Sequence, residues 1–299
     1  MSGVSDHQDS ICLSQESMYM SLKKTFYAFR EGIKNSFYRN KKIITASNPK
    51  FTLHFDTYYT DDVRQLIRLC SRIRRNRWER DLIQLCFDRI KPDETVLEVG
   101  TWIGNYSTLL GKYIVPQGMV FGFEPDSVAF RQCSINLILN DVHNVFLERT
   151  ALSDSIGFLD LYTNRIFGNS GSSIFATNPV ADGAEHMKIQ VPCITLDRFV
   201  EAFQISPTTI KIDVEGAEDL VIHGGRKTLQ KKDVKLFVEI HTPYLQSRGK
   251  SPRDIFRQLS DLGKTIYMVE DFDNAPIKKG KIIDPATSIE IPNFHIFAA

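Results

Sequence analysis

The sequence lacks the features that mark membrane-spanning, disulfide-rich and zinc-ribbon proteins. None of its apolar runs reaches the roughly eighteen residues that a membrane-spanning helix needs. Its five cysteines are scattered and odd in number, and no two form a C-x-x-C pair, which argues against a disulfide framework or a zinc ribbon. The opening MSGVSDHQDSICLS has no basic segment followed by an apolar core, so we expect no secretory signal. Together these absences predict a cytoplasmic protein.

The charge is balanced over the whole chain but not along it. Of the 299 residues, 42% are hydrophobic and 24% are charged, which is ordinary for a globular protein, and the net charge is +1. Residues 1–91 nevertheless carry a net charge of +7, and the remaining residues carry −6. A basic front attached to an acidic body predicts different tasks for the two parts.

Two amphipathic stretches occupy the basic front. Apolar side chains recur three or four residues apart from Met18 to Phe37, which predicts a helix after a disordered segment at residues 1–17. The second stretch, DDVRQLIRLCSRIRRNRWERDLIQLCF, has seven arginines between Arg64 and Arg80. Such helices could contact an anionic membrane surface or an acidic substrate, but we favour a cap of surface helices on the main domain. Without a recognisable RNA-binding motif, nucleic acid is not an expected partner.

From Lys91 onward, predicted strands alternate with predicted helices. The strands cover residues 95–99, 119–124, 144–148, 157–163, 188–192, 208–213, 235–240, 265–269 and 293–299. This alternation predicts an α/β fold in which helices cover both faces of a mostly parallel sheet. Residues 164–187 are rich in Gly, Ser and Asn, so we interpret them as a long loop that acts as a flap over bound ligand.

A glycine turn follows the first of these strands. The segment ETVLEVGTWIGNYS has Glu98 near the end of an apolar strand, and Gly100 and Gly104 precede a predicted helix. Glycine lets the backbone turn tightly and lets a ligand come close to it. Open α/β sheets build a small-molecule crevice from a strand, a glycine turn and a helix, although a turn glycine and a helix-packing glycine would look similar.

Glu124 ends the second strand, FGFEPD, about twenty residues after Gly104. In nucleotide-binding α/β folds a carboxylate at this place accepts hydrogen bonds from ribose hydroxyls, and the alternative is a solvated turn residue before Pro125. The turn is not G-x-G-x-x-G, because Trp102 stands at the second glycine and would keep a pyrophosphate from the backbone. The pattern therefore favours a ligand with a ribose and no phosphate, and S-adenosylmethionine is such a ligand.

Polar side chains also end two later strands. In IKIDVEGAE, Asp213 lies at the carboxyl end of a strand that should be apolar on both faces, which indicates a functional role. In KLFVEIH, Glu239 and His241 share one face, about 5 Å from Asp213 if the two strands are adjacent. Glu215 and Glu218 can simply complement the dipole of the next helix. A single histidine would more often be a core residue, but three titratable groups at the ligand edge favour catalysis.

Several segments together resemble a known family. VLEVGTWIGNYS, FGFEPD, TALSD, ITLDRF and IKIDVEGAEDLVIHGG…VKLFVEIH stand in the order typical of the FkbM family of S-adenosylmethionine-dependent methyltransferases, from about Trp78 to about Tyr244. The resemblance implies the class I methyltransferase fold, a Rossmann-like, doubly wound, mostly parallel sheet of seven strands. Residues 1–77 match no feature of the family. We therefore divide the chain into a basic helical N-terminal extension, residues 1–77, and a methyltransferase domain, residues 78–299.

The resemblance also implies roles for individual residues. Glu98 and the turn glycines would surround the methionine end of the cofactor, Glu124 would bind its ribose, and Asp213 would lie near its methyl group. Residues 151–154 match the block after the third strand, beside the adenine, and Thr101 and Trp102 stand where the family usually has Ala-Asn. The predicted cofactor-binding residues are Glu98, Gly100, Thr101, Gly104, Glu124, Ala151 and Asp213.

The activity that the resemblance implies is O-methylation of a hydroxyl on a sugar, glycan or natural-product acceptor. Alignment supplies most of the catalysis of such a transfer, and a base helps because the alcohol must lose its proton. The predicted catalytic residues are Asp213, Glu239 and His241, with either Asp213 or a Glu239-oriented His241 as the base. We assign no metal ligands, although the two carboxylates and His241 could instead hold a divalent cation that acidifies the hydroxyl.

Two other functions remain as alternatives. The basic front would suit an RNA-modifying methyltransferase of the same fold, whereas the missing RNA-binding motif does not. A catalytically inactive scaffold that binds a partner through its basic helices is the second alternative, and the intact polar set argues against it. The sequence leaves the acceptor and the oligomeric state open.

Overall fold

The structure is a computed structural model, and it describes Gly32, Ser36 and residues 43–57, 63–164, 171–175, 186–271 and 282–299. The helix predicted between Met18 and Phe37 lies outside the described residues except at Gly32 and Ser36, and so does the disorder predicted for residues 1–17. The chain divides into two compact units, Met1–Ile43 and Ile44–Ala299, and the second contains the central sheet.

The first half of the described chain contains a hairpin, two helices and three strands of the central sheet. In chain order these elements are β1 (Ile43–Ser47), β2 (Thr52–Asp56), α1 (Val63–Arg74), α2 (Arg80–Arg89), β3 (Thr95–Val99), α3 (Asn105–Leu109), β4 (Met119–Phe123), α4 (Ser127–Leu139) and β5 (Val145–Glu148). A π-helical turn, Leu110–Ile114, continues α3.

The second half completes the central sheet and adds a smaller one. Its elements are β6 (Ala151–Ser153), β7 (Gly157–Asn164), β8 (His186–Thr195), α5 (Leu196–Phe203), β9 (Thr209–Ile212), α6 (Glu218–Gly224), α7 (Arg226–Leu229), β10 (Lys235–His241), α8 (Thr242–Ser247), α9 (Pro252–Asp261), β11 (Ile266–Asp271) and β12 (Asn293–Ala298). None of the described helices combines the length and the apolar character that crossing a membrane requires.

The central sheet has seven strands in the order β11–β12–β10–β9–β3–β4–β5. Strands β10, β9, β3, β4 and β5 are parallel, and β12 runs antiparallel between β10 and β11. Because successive side chains of a strand point to opposite faces, Val96 packs into one core and Leu97 into another. The sheet is therefore buried on both faces, which confirms the predicted doubly wound α/β fold.

Strands β6, β8 and β7 form a separate three-stranded sheet, whose last two strands pair antiparallel along their length. The sequence predicted the strands of β7 and β8 but not that they would leave the central sheet. One face of this small sheet is buried, with Leu161, Val191 and Cys193 in its core, while Phe158 is exposed. A sheet with one solvated face is typical of antiparallel pairing.

The basic amphipathic stretch is two helices rather than one. Asn76 and Glu79, between α1 and α2, have positive φ angles of 53° and 37°, and such backbone conformations end a helix. Buried side chains of α1, including Leu66 and Ile73, share one core with Trp78 on the sheet domain. This packing agrees with the expected cap of helices for α1.

The β1–β2 hairpin is fastened to α4 by two asparagine side chains. Asn136 Oδ1 accepts a 2.8 Å hydrogen bond from the backbone N–H of Asp56. Asn140 accepts from the N–H of His54 at 2.9 Å and donates to its carbonyl at 2.7 Å, as a neighbouring strand would. Strand β2 and helix α1 thus pack on the same body as the sheet, while the boundary predicted between residues 77 and 78 stays a prediction.

That boundary can be tested by truncation. We expect a chain shortened to residues 78–299 to unfold or aggregate, whereas residues 43–299 keep the thermal transition of the full chain. The shorter fragment loses the buried side chains of β2 and α1, each worth about 1.5–3 kcal/mol, against a usual total stability of about 5–15 kcal/mol. Thermal unfolding by circular dichroism measures the difference. Equal transitions for all three chains would show that residues 43–77 are dispensable for folding.

Candidate active site

A cavity of about 410 Å³ opens at the carboxyl ends of the central strands. Its wall includes seven of the residues that the sequence predicted for the site, namely Glu98, Gly100, Thr101, Glu124, Ala151, Asp213 and Glu239. Gly104 and His241 are not on the wall. They lie behind it, where each contacts other parts of the site.

The glycine turn is shaped by its closeness to the end of β9. Gly100 has a φ of 87°, and a Cβ atom there would lie 1.8 Å from the carbonyl oxygen of Asp213. Backbone hydrogen bonds hold this approach, from Asp213 N to Val99 O at 2.9 Å and from Gly100 N to Phe123 O at 3.0 Å. A side chain at position 100 would therefore push the turn away from Asp213.

Gly104 has a different task. It precedes α3 with a φ of 80°, and a Cβ atom there would lie 2.5 Å from Cys133 Sγ on α4. Glycine is required here because α4 lies so close to the start of α3 that no space remains for a side chain. Its predicted contact with the cofactor stays a prediction.

Glu124 joins the glycine turn to the end of β4. Its Oε2 accepts a 2.8 Å hydrogen bond from the backbone N–H of Trp102, and its Oε1 accepts one of 3.0 Å from Asp126. Trp102 has a positive φ of 47°, so this bond stabilises a conformation that L-residues avoid. The side chain is buried, with 7% of its surface exposed, and burial raises its pKa to about 8. Each carboxylate oxygen keeps a second lone pair that can accept a ligand hydroxyl.

Glu98 and Lys211 place opposite charges beneath the cavity. Glu98 Oε2 accepts a 2.6 Å hydrogen bond from Ser107, and burial raises the pKa of this carboxyl group to about 7. Lys211 Nζ lies 2.9 Å from Asp213 Oδ2 and 4.3 Å from the centre of the Tyr106 ring. Burial opposes its charge, but Asp213, Glu79 and Glu98 outweigh that effect and raise the pKa of Lys211.

His241 lies inside a cage of carboxylates. Its Nδ1 is 2.7 Å from Glu218 Oε1, and its Nε2 is 3.5 Å from Glu215, 3.6 Å from Glu239 and 3.9 Å from Asp213. Burial would lower the pKa of the imidazole, yet Glu215, Glu239 and Glu218 raise it well above its usual value. An imidazole in this setting keeps its proton firmly, so the cage does not favour His241 as a free base.

A second histidine continues the chain of charges on the far side of Glu239. His295 Nε2 lies 3.3 Å from Glu239 Oε2 and 3.6 Å from Glu79 Oε2. Tyr106 also donates a 2.6 Å hydrogen bond to Glu79. Burial disfavours ionisation of Glu239, but His295 and His241 outweigh it and lower the pKa of this carboxyl group. Glu239 is therefore an anion held between two imidazoles.

Comparison with family models shows which protein family the chain belongs to. The family model described as the methyltransferase FkbM domain matches residues 98–266, more than half of the chain. The chain belongs to the FkbM methyltransferase family. It is an enzyme, and its cofactor is S-adenosylmethionine.

Two curated relatives of this FkbM protein are methyltransferases. The hexuronic acid methyltransferase AglP of Haloferax volcanii is 28% identical over 196 residues, which cover 64% of this chain and 71% of the relative. The 2-O-methyltransferase NoeI of Sinorhizobium fredii is 29% identical over 196 residues, which cover 61% of this chain and 76% of the relative.

Solved structures show more distant likenesses. Methyltransferase FkbM of Methylobacillus flagellatus is 15% identical with a TM-score of 0.42, and the match covers 71% of this chain but only 44% of that protein. Fibrillarin of Aeropyrum pernix, solved with natively bound S-adenosylmethionine, is 14% identical with a TM-score of 0.41 and coverages of 73% and 76%. These likenesses add nothing to what the strand order and the family match show.

The groups on the cavity wall suit S-adenosylmethionine. Gly100 lets the turn after β3 lie against Asp213, and Glu124 stands at the next strand end with lone pairs for a diol. The wall carries the carboxyl groups of Glu98, Asp213, Glu215 and Glu239, which suit a ligand with a positive sulfonium and ammonium group.

Several residues on or behind the wall escaped the sequence analysis. Glu215 was interpreted as complementing a helix dipole, and the structure places it 3.5 Å from His241 Nε2. One face of α1 also lines the cavity through Gln65, Arg68, Leu69 and Arg72, whose helical spacing was a usable signal. Lys211 was visible as a charge in a buried strand. His295 gave no signal, because its partner Glu239 lies far away in the sequence.

The long loop predicted at residues 164–187 is described at residues 171–175, and its other residues, apart from strand residues 164, 186 and 187, lie outside the described part. Ser172 and Ile174 line the cavity, and Ser173 Oγ donates a 2.8 Å hydrogen bond to the carbonyl of Glu215. This part of the loop thus belongs to the site.

Paired glycine substitutions test the turn. Gly249 also has a positive φ, 68°, but a Cβ atom there would meet nothing within 4 Å. Gly249→Ala should therefore cost only the left-handed conformation, about 1–2 kcal/mol, whereas Gly100→Ala adds the cost of overpacking and reaches about 2–5 kcal/mol. Urea unfolding followed by fluorescence gives both values. Equal losses would mean that the turn relaxes away from Asp213 without strain.

Proposed function

We propose that this FkbM methyltransferase methylates a hydroxyl oxygen of a sugar or glycan. The observation that carries the proposal is the polar cluster of Asp213, Glu239 and His241 at the ends of β9 and β10, beside the glycine turn. Methyl transfer to an alcohol is helped by a base that takes the hydroxyl proton, and that base must stand next to the cofactor. Both requirements meet at Asp213.

For the cofactor we propose a site made of Glu98, Gly100, Thr101, Glu124, Ala151 and Asp213, with Gly104 supporting the turn. Bound S-adenosylmethionine supplies the methyl group, whose bond to sulfur breaks as the new bond to oxygen forms. Glu124 receives the ribose hydroxyls while it holds Trp102 in its left-handed conformation. The rigidity of this turn fixes where the donor can lie, and alignment of this kind accounts for much of the catalysis of group transfer.

For the acceptor we propose that the carboxylates at the cavity take up the hydroxyl proton. The side chains of Asp213 and Glu239 are 27% and 11% exposed, so both can reach the cavity, whereas His241 is 1% exposed. His241 then acts as a positioning residue, since it contacts the carboxylates and not the cavity. Lys211 anchors the other oxygen of Asp213, which keeps the reactive oxygen in one orientation.

The acceptor itself carries a negative group in this proposal. Arg68 and Arg72 lie four residues apart on the face of α1 that lines the cavity, and both are exposed. Arginine binds carboxylate and phosphate groups through two parallel hydrogen bonds. One of the relatives is a hexuronic acid methyltransferase, which acts on an acidic sugar. This assignment gives Arg68 and Arg72 of the basic front a role that needs neither a membrane nor a nucleic acid.

The role of Glu124 predicts a pH dependence of cofactor binding. Its pKa of about 8 means that the carboxyl group is largely protonated at pH 6.5 and ionised at pH 9. Only the ionised form has its full set of lone pairs for the ribose hydroxyls, so affinity for S-adenosylhomocysteine should rise through this range. Glu124→Gln should weaken binding about ten- to a hundred-fold at pH 9 and flatten the dependence. Calorimetry on both proteins gives the two profiles, and parallel profiles would remove Glu124 from the ribose site.

The function itself is tested by transfer of labelled methyl groups to candidate acceptors. We expect the mass of an acidic sugar or glycan to increase by one methyl group. Its neutral counterpart should be methylated more slowly, and RNA should not be methylated. Asp213→Asn and His241→Ala should lower turnover about a hundred- to ten-thousand-fold, and S-adenosylhomocysteine binding far less.

Glu201→Gln is the matched control, because this exposed carboxylate pairs with Arg198 on α5 and does not line the cavity. Thermal melting of each variant checks that the buried cluster still folds. Near-normal turnover in folded Asp213→Asn and His241→Ala would make the cluster structural.

A further inference from the structure

The imidazole of His241 has one nitrogen satisfied and one that faces only carboxylates. Nδ1 lies at hydrogen-bonding distance, 2.7 Å, from the buried Glu218, whose same oxygen also accepts the N–H of Gly216 at 3.0 Å. Nε2 has no partner nearer than 3.5 Å among the described residues, although the side chain is buried. An ordinary hydrogen bond is about 2.9 Å long. Nε2 carries a proton toward these carboxylates, and a metal ion at this place would displace that proton.

The distances around Nε2 are those of ligand atoms that share one ion. Oxygens of Glu215, Glu239 and Asp213 lie 3.5, 3.6 and 3.9 Å from it. One atom each of Asp213, Glu239 and His241 lies within 4.8 Å of the others. Bonds of about 2.0–2.3 Å to a central cation leave neighbouring ligands about 3–4 Å apart.

Asp213 and Glu239 each present a single carboxylate oxygen to Nε2 of His241, because a basic residue holds the other oxygen. Asp213 Oδ2 pairs with Lys211 at 2.9 Å, and Oδ1 faces His241. Glu239 Oε2 faces His295 at 3.3 Å, and Oε1 faces His241. Metal ligands are commonly oriented in this way by neighbours, and a carboxylate on the far nitrogen of a ligating histidine is the best-known form. Glu218 occupies that place on His241.

Glu215 reaches the centre through a strained turn. Glu215 and Gly216 have φ angles of 50° and 95°, and a Cβ atom at Gly216 would lie 2.3 Å from Tyr244 Cβ. The turn is held by Ser173, which donates to the carbonyl of Glu215, and by Arg248, which donates to the carbonyl of Gly216. Residues kept in such conformations cluster at functional sites, where the surrounding structure enforces them.

We propose that Asp213, Glu239 and His241 bind one divalent cation of the Mg²⁺ or Mn²⁺ class, with the carboxylate of Glu215 beside them. Carboxylate oxygens suit these ions, and a single imidazole among three carboxylates suits Mn²⁺ better than Zn²⁺, which prefers nitrogen and sulfur. The inference deepens the proposed function, because a cation at this place would acidify the acceptor hydroxyl. Binding of the ion can nevertheless be measured without cofactor or acceptor.

The experiment titrates Mn²⁺ into the chelator-treated full chain and follows free Mn²⁺ by electron paramagnetic resonance. We expect one site per chain, with displacement by Mg²⁺ and weaker competition by Ca²⁺. Glu215→Gln and Glu239→Gln should each weaken binding by at least tenfold. Glu218→Gln should weaken it about ten- to a hundred-fold, as loss of an orienting carboxylate does. Glu201→Gln should bind like the unchanged chain.

A thermal readout covers variants that fold poorly. Saturating Mn²⁺ should raise the melting temperature of the unchanged chain and of Glu201→Gln, and it should leave that of Glu239→Gln unchanged. The proposal is overturned if the chain has no stoichiometric Mn²⁺ site, or if Glu215→Gln and Glu239→Gln bind Mn²⁺ as tightly as the unchanged chain does. Methyl transfer that persists in chelator without Mn²⁺ binding would reject the cation and leave the proposed function standing. Mn²⁺ binding without methyl transfer to any sugar would support the cation site and reject the proposed function.

Discussion

The close approach of Gly100 to Asp213 is the constraint on which the site depends. The turn after β3 and the end of β9 meet so tightly that a Cβ atom at position 100 would lie 1.8 Å from the carbonyl oxygen of Asp213. In the proposed site the turn borders the cofactor, and Asp213 begins the polar cluster. Because the two strands are adjacent and parallel, both features leave the sheet at the same edge. Donor and acceptor chemistry are thus joined by backbone contact rather than by flexible side chains.

Buried charge is the second organising feature. In the described part of the chain, the carboxyl groups of Glu79, Glu98, Asp213, Glu215, Glu218 and Glu239 surround three basic side chains, Lys211, His241 and His295. Such an excess of negative groups away from water is unfavourable unless protons, cations or hydrogen bonds compensate it. The raised pKa values of Glu98 and Glu215, to about 7 and about 8, record part of that compensation. A bound sulfonium, and the cation proposed above, would supply more of it.

The family domain does not contain the whole site. The match covers residues 98–266, but Arg68, Arg72 and Glu79 approach the cavity from before it and His295 from after it. Glu79 is placed by its left-handed backbone and by the hydrogen bond that its carboxylate accepts from the Tyr106 hydroxyl. The residues that read the acceptor in our proposal therefore lie outside the shared domain.

The sequence alone determined the sheet and one side of the site. Strands β3, β4, β9 and β10 were predictable from apolar runs, and Glu98, Glu124, Asp213 and Glu239 were visible as acids that interrupt the ends of those runs. Such signals are local, since strand period and glycine turns act within a few residues.

Only the tertiary structure decided the partners of these acids. Insertion of β12 beside β10 sets His295 opposite Glu239, and the turn after β9 brings Glu218 to the buried nitrogen of His241. The face of α1 that meets the cavity was likewise set by the packing of Leu66 and Ile73 into the common core. Each of these contacts joins residues far apart in the chain, and local pattern carries no information about which distant surface a side chain will meet.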